Sequence, residues 1–173
     1  MNTNNLSGSY DELLNNAQPL LKKGTVVLVR GLPGSGKSHL AEALRKLAKA
    51  EMDVCSADDY FCDENGVYNF DPSKLAEAHL QCQSNCFARF SIDDIAFVAN
   101  TFTQRWEMQQ YLVFVETFGL DLLVLNLFDG GLSDKELAAR NTHGVPEEAI
   151  TRMRERFEHN WLEGDPRPPW ERD

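Results

Sequence analysis

Gly31-Leu32-Pro33-Gly34-Ser35-Gly36-Lys37-Ser38 is a complete match to the pattern G-x-x-x-x-G-K-[ST]. Glycines at 31, 34 and 36 let a backbone turn tightly and aim its N–H groups at phosphate oxygens. In such a loop the lysine, Lys37, reaches the β- and γ-phosphates of a nucleotide, and the hydroxyl of Ser38 holds Mg²⁺. The flanks decide whether the match is a site or a glycine-rich turn. Upstream, 25–29 reads Thr-Val-Val-Leu-Val, a continuous apolar run of the kind buried on both faces of a parallel sheet. Downstream, Leu40, Ala43, Leu44 and Leu47 fall at helical spacing over 38–50, so a helix N-terminus meets the phosphates. Strand, loop and helix in that order predict a phosphate-binding loop. The nucleotide-binding set is Gly34, Ser35, Gly36, Lys37, Ser38 and His39, with ATP and Mg²⁺ as the expected ligands.

Working outward, the pattern alternates. A short apolar run at 52–55 predicts a second strand, and Asp71-Pro72 opens a helix to about residue 90. Residues 95–98 read as a third strand, 106–118 as a helix stopped by Gly119, and 120–128 as a fourth, strongly apolar strand. Ser133-x-x-Glu136 is a capping box for a short helix to Arg140, and 146–161 predicts the last helix. Strands alternating with helices imply an α/β fold: a parallel sheet of about four to five strands, helices on both faces, and a small helical lid. The expected boundaries are a polar N-terminal extension at 1–22, the phosphate-binding domain at 23–163, and an extended tail at 164–173. Within 1–22, Leu13, Leu14, Leu20 and Leu21 suggest a helix laid against the core.

Composition narrows the class. A chain of 173 residues with 42% hydrophobic content forms one ordinary globular domain. No apolar run approaches the ~20 residues needed to span a bilayer, so no membrane partner is expected. The first residues lack the basic and apolar regions of a signal peptide, which predicts a cytoplasmic protein. Its four cysteines (Cys55, Cys62, Cys82, Cys86) form no C-x-x-C pair and are expected to be reduced, without a disulfide partner. His79, Cys82 and Cys86 share a helix face, as metal ligands or, better, as a small-residue face against the core. The formal charge of −10 repels polyanions, and favours a small or short acceptor over a long duplex.

Ligands in such sheets sit at the carboxyl ends of the strands. After the second strand come Asp58 and Asp59. A carboxylate facing the phosphate loop can take the proton of an attacking hydroxyl or act on Mg²⁺ through water; the alternative is a pair of turn caps. After the third strand, Asn100 and Thr101 can bind an acceptor or cap a turn. Arg140, Arg152, Arg154 and Arg156 surround the loop 141–146. A mobile arginine at that point stabilises charge building on a transferred phosphoryl group, and Arg140 stands where a closing lid would place it. Arg152 and Arg156 are spaced to share an inward face. Arg154 is better read as a surface ion pair with Glu148, Glu155 or Glu158.

Over about residues 24–160 the chain resembles the polynucleotide-kinase-like P-loop kinases. These comprise the kinase domains of phage and eukaryotic end-healing enzymes and their small phage and animal relatives. The resemblance rests on GLPGSGKS at 31–38, Ser-x-Asp-Asp-Tyr-Phe at 56–61, Asn-Gly-x-Tyr-x-Phe-x-Pro at 65–72 and Asn-Thr at 100–101. Trp-Glu-Met at 106–108 and ELAARNxHGVPxxxIxRMxxRFE at 136–158 complete it. It implies an ATP-dependent phosphotransferase, with the general base at Asp58, the lid arginine at Arg140, and the phosphate-binding lysine and serine at Lys37 and Ser38. Asp59, Phe61, Asn100 and Thr101 are the implied acceptor-side residues. The implied acceptor is a hydroxyl on a nucleotide, nucleoside or short nucleic-acid 5′ end. Two positions depart from the family, Ala99 for an acidic residue and Phe61 for an arginine. They leave room for a small-molecule hydroxyl kinase, or for a nucleotide-binding adaptor with little turnover.

Overall fold

The computed structural model describes residues 2–173. Four strands, β1 (Thr3–Gly8), β2 (Thr25–Arg30), β3 (Ile95–Asn100) and β4 (Asp121–Leu127), form one sheet in the order β1-β4-β2-β3. Every pairing is parallel. The central strands read as continuous apolar runs because both of their faces are covered. Val26, Leu28, Ala96, Val98, Leu122 and Val124 pack towards α3 (Leu75–Arg89) and α4 (Arg105–Phe118). Their alternates Val27, Val29, Phe97, Ala99, Leu123 and Leu125 pack towards α1 (Tyr10–Ala17) and α2 (Lys37–Ala48). Two helices α5 (Asp134–Arg140) and α6 (Glu147–Glu155) close a third cluster, in which Leu137 and Ile150 bury against Leu32 of the phosphate loop. The α/β fold with helices on both faces and a helical lid is present as the sequence predicts.

Several boundaries differ. The stretch at 1–22 is not an extension, because residues 3–8 are the edge strand β1. Its sequence, Thr-Asn-Asn-Leu-Ser-Gly, has almost no apolar content, yet a parallel edge needs only backbone groups. Its polar side chains also work: Asn126 Nδ2 and Trp161 Nε1 both donate to Asn5 Oδ1, at 2.7 and 3.0 Å. The helix expected around Leu13 is α1, started by a Ser9–Glu12 capping box and burying Leu13 and Ala17.

The strand expected at 52–55 contracts to a single parallel bridge between Cys55 and Val98. Asp94 accepts the amides of Glu51 and Met52 (3.1 and 2.8 Å), which removes them from any ladder. A Ser56–Asp59 capping box then turns the chain into the 3₁₀ segment Ala57–Phe61. The helix predicted from 71 starts as a 3₁₀ turn, Pro72–Lys74, capped by Asp71. The last helix stops at Glu155 rather than 161, and the tail carries a 3₁₀ turn at Pro169–Glu171 that sets Trp170 edge-on to Trp106.

The early stop of α6 has a cause inside the sheet. Arg30, the last residue of β2, is fully buried. Its Nε donates to the Phe102 carbonyl (2.9 Å), its Nη2 to the Thr103 carbonyl (3.1 Å), and its Nη1 to the Glu158 carbonyl (2.9 Å) and Asn126 Oδ1 (3.1 Å). The guanidinium lies 4.3 Å from the centroid of the Phe157 ring. Residues 157–158 reach it only by leaving the helix. Arg30→Ala should therefore destabilise the protein by about 3–5 kcal/mol, because three carbonyls and an amide lose their donors inside the fold. Arg30→Lys, with no planar fork, should recover less than half of that. Denaturant unfolding of the two variants measures it; a loss below about 1 kcal/mol for alanine would show that the network carries little.

Candidate phosphate and acceptor site

A cavity of about 580 Å³ opens where β2 and β3 end, as an open parallel sheet requires. Its floor is the phosphate loop: Gly34, Gly36, Lys37, Ser38 and His39 line it. Gly36 takes φ +98° as the residue before α2, and Gly34 takes φ +78°. A Cβ at 34 would lie 2.3 Å from the Leu137 carbonyl oxygen, so the loop and α5 touch backbone to backbone. Only glycine permits that approach. Ser35 is different. Its hydroxyl is buried without a partner, and it does not line the cavity.

Lys37 stands in the cavity with Asp58 as its countercharge. Burial lowers its pKa to about 8, and the Asp58 charge opposes that shift. The carboxylate of Asp58 is held on one side by Tyr68, whose hydroxyl donates to Oδ1 at 3.0 Å. Oδ2 lies 3.5 Å from His143 Nε2. Desolvation, reinforced by Asp58, pushes the Tyr68 phenol well above its ordinary pKa, so it remains a donor.

The remaining expected residues divide. Arg140, at the end of α5, lines the cavity and makes no salt bridge among the described residues. Arg156 lines it too, its Nε donating to Thr103 Oγ1 at 3.1 Å. Arg152 does not. Arg154 is an ion-pair residue as expected, but its partners are Asp129 and Asp134 rather than the glutamates of its own helix. Thr101 lines the cavity. Asn100 does as well, although its amide is engaged: Oδ1 accepts from Ala57 N (2.9 Å) and Nδ2 faces Cys82 Sγ (3.7 Å).

Three acceptor-side expectations are corrected. Asp59 does not line the cavity; its carboxylate closes the capping box on Ser56 N at 3.1 Å. Phe61 is 6% exposed, packed among Tyr60, Tyr68 and Phe70 beneath the cavity wall. Ala99 faces the α1–α2 layer, so the missing charge there does not concern the cavity. In a strand, one residue of displacement changes the face. In place of Phe61, the rings of Tyr68 and Phe70 line the cavity.

Sequence reasoning missed Tyr68, Phe70, His79, Glu107 and His143 as cavity residues. Tyr68, Phe70, Glu107 and His143 do fall inside the motifs quoted above, which is the one signal that pointed to them; His79 lies outside them. His79 separates from Cys82 and Cys86: the thiols are buried in the core, whereas the imidazole faces the cavity. Burial lowers the His79 pKa, against the pull of Glu107 and Asp58. Among the described residues no three His, Cys, Asp or Glu side chains are placed to hold a metal ion, all four cysteines are free, and no helix is long and apolar enough to cross a membrane.

The position of Lys37 sets a pH dependence. Its charge is present below about pH 8 and is lost above it, while a bound triphosphate would hold the proton on. Affinity for a nucleoside triphosphate should fall about tenfold per pH unit above pH 8, and Lys37→Met should abolish the trend. Equilibrium titrations between pH 7 and 9.5 measure this; a flat profile would remove Lys37 from the phosphate contact.

Comparison with known proteins agrees with this architecture. A stretch of 136 residues is 40% identical to part of NEDD4-binding protein 2 of Homo sapiens. That match covers 77% of this chain but only 8% of the human protein, so the chain corresponds to one small segment of that relative. The structure of a gluconokinase from Sinorhizobium meliloti 1021 superposes with a TM-score of 0.50 at 17% identity, over 86% of this chain and 80% of that one, which is a likeness of fold. Residues 26–159 match the family described as an AAA domain, AAA_33. The chain belongs to that family, built on the fold of P-loop kinases.

Proposed function

We propose that this chain is an ATP-dependent phosphotransferase, moving the γ-phosphoryl group to a hydroxyl on a nucleotide, nucleoside or short nucleic-acid 5′ end. The observation that carries the proposal is that Lys37, Asp58 and Arg140 line one cavity, the arginine with no carboxylate partner among the described residues. Backbone amides at 34–38 and the Lys37 ammonium would bind the β- and γ-phosphates at the start of α2. Ser38 lines the cavity beside Lys37 and suits a hard cation; Mg²⁺ there would neutralise phosphate charge. Asp58 would accept the proton of the attacking hydroxyl, its geometry fixed by Tyr68. Arg140, at the junction of α5 and the loop 141–146, would meet the charge that develops on the transferred group.

Support for the acceptor class comes from rings rather than from Phe61. Tyr68 and Phe70 lie nearly parallel, 7° apart, and both line the cavity close to Asp58. A single base stacked there would be held by ~1–3 kcal/mol without a basic groove, which suits a chain of net charge −10. The adaptor reading drew on Ala99, which does not face the site. A cytoplasmic setting is part of the proposal, in keeping with free thiols and the use of ATP.

Incubation with labelled ATP and separate pools of 5′-OH oligonucleotides, nucleosides and small alcohols tests the reaction and its acceptor together. Lys37→Ala should abolish transfer while leaving the fold intact. Asp58→Asn should retain nucleotide binding and lose ~10²–10⁴ in rate, whereas Asp59→Asn should stay near wild type. Wild-type turnover in Lys37→Ala would sink the kinase reading. Efficient transfer to duplex ends, falling steeply with salt, would refute the short-acceptor reading.

A further inference from the structure

The loop 141–146 ends on the carboxylate that the proposed reaction needs. Its shape is built in: Asn141 Oδ1 accepts from the amides of His143 (2.9 Å) and Val145 (3.1 Å), and Gly144 takes φ +69°. That shape carries the His143 imidazole to 3.5 Å from Asp58 Oδ2, with its centroid 4.3 Å from that of Tyr68. Tyr68 already occupies Oδ1. The two oxygens of Asp58 are thus addressed by two different parts of the chain, and only the His143 side belongs to the lid.

We propose that His143 is a positioning residue for Asp58, so that docking of the lid loop and setting of the base are a single event. The proposal rests on the reading of Asp58 as general base. In that reaction the acceptor O–H bond breaks as oxygen bonds to the γ-phosphorus. The bond to the bridging oxygen breaks, and its electron pair leaves with ADP. The proton arrives on the Asp58 carboxylate, whose oxygens keep free lone pairs beside the contacts of Tyr68 and His143. At 3.5 Å the imidazole is beyond the 2.7–2.9 Å of a closed charge-assisted bond, so a small movement of the loop tightens or frees the contact.

The balance of forces suits a contact that must open in each cycle. Ring contact with Tyr68, tilted by 37°, and the pull of the carboxylate favour docking. Against them, His143 Nδ1 is buried without a hydrogen-bond partner, a cost present only while the ring is docked. The charged and titratable groups around the pair include Lys37 from α2, His79 from α3, Tyr68, and Asp59 and Cys62 from the segment that carries Asp58.

Three variants of the full chain separate positioning from packing, with Mg²⁺-ATP and a 5′-OH dinucleotide as the probe. His143→Ala should lower kcat by about 10- to 100-fold, with KM for ATP unchanged. His143→Gln, which retains a polar group for Asp58, should restore most of that loss. His143→Phe, which retains only the ring on Tyr68, should not; rescue by phenylalanine and not by glutamine would mean that the ring is packing alone, and would overturn the proposal. Amide hydrogen exchange provides an arm that needs no turnover. Asp58→Ala should accelerate exchange at residues 141–146 several-fold relative to wild type, in the absence of nucleotide. Unchanged exchange there would overturn the proposal even in an active kinase. A wild-type protein inert towards the dinucleotide would count against the acceptor reading, and the exchange arm would still decide the role of His143.

Discussion

A single buried cation organises this molecule. Arg30 stands at the end of the central strand, immediately before the phosphate loop, with no carboxylate in hydrogen-bond contact. Burying a charge is costly, and burial lowers the Arg30 pKa to about 10, although Glu107 and Glu158 pull the other way. It remains charged at neutral pH. What compensates it is a shell of carbonyl dipoles, an amide oxygen and an aromatic face, drawn from β4, from the turn after β3, and from the segment after α6. Each of those segments must therefore hold its backbone where the guanidinium needs it. Phe102 shows the consequence: a buried, non-glycine residue at φ +46° whose carbonyl accepts from Arg30 Nε. A bulky residue keeps that conformation only when its surroundings impose it.

From Arg30 the constraint reaches the cavity in two steps. Its Nη2 fixes Thr103, and the Thr103 hydroxyl donates to Glu107 and accepts from Arg156 Nε. Glu107 and Arg156 are cavity residues of opposite sign, set in place by one hydroxyl. The lid is constrained from another direction. Leu32 of the phosphate loop shares a core with Leu137 and Ile150, the Leu137 carbonyl sits where a Cβ on Gly34 would be, and Arg154 locks α6 to Asp129 and Asp134. Helices α5 and α6 are therefore packed onto the phosphate loop.

Much of this fold was legible because burial leaves a pattern. Strands covered on both faces read as apolar runs, one capping box announced α5, and the glycine-rich loop fixed its own context. The edge strand β1 left no such pattern, since backbone pairing with β4 asks little of its side chains. At the site, Lys37, Ser38 and Arg140 stand at the ends of helices the pattern announced, whereas Asp58 lies in a 3₁₀ segment where a strand was expected to end. Phe61 and Ala99 were misassigned because the sequence does not show which way a residue faces beside a strand end. Phe61 lies in a 3₁₀ turn rather than a strand, and Ala99 lies one residue before the position that lines the cavity. The contact of His143 with Asp58 was invisible for a different reason. It is a meeting of two loops distant in sequence, created by the packing of the lid.

The distribution of charge follows from the same construction. The chain carries −10 overall, yet one cavity gathers Lys37, Arg140 and Arg156 against only two carboxylates, Asp58 and Glu107, together with three of the four histidines, His39, His79 and His143. A long polyanion would meet the acidic surface as well as this cleft, and its net attraction would be small. A ligand small enough to lie within about 580 Å³ meets the cleft alone. On the proposed function, the positive groups would serve a phosphate, and the near-parallel rings of Tyr68 and Phe70 a planar group beside Asp58. Selection for a small acceptor would then come from the contrast between the cleft and the surface around it, and no single residue need carry it.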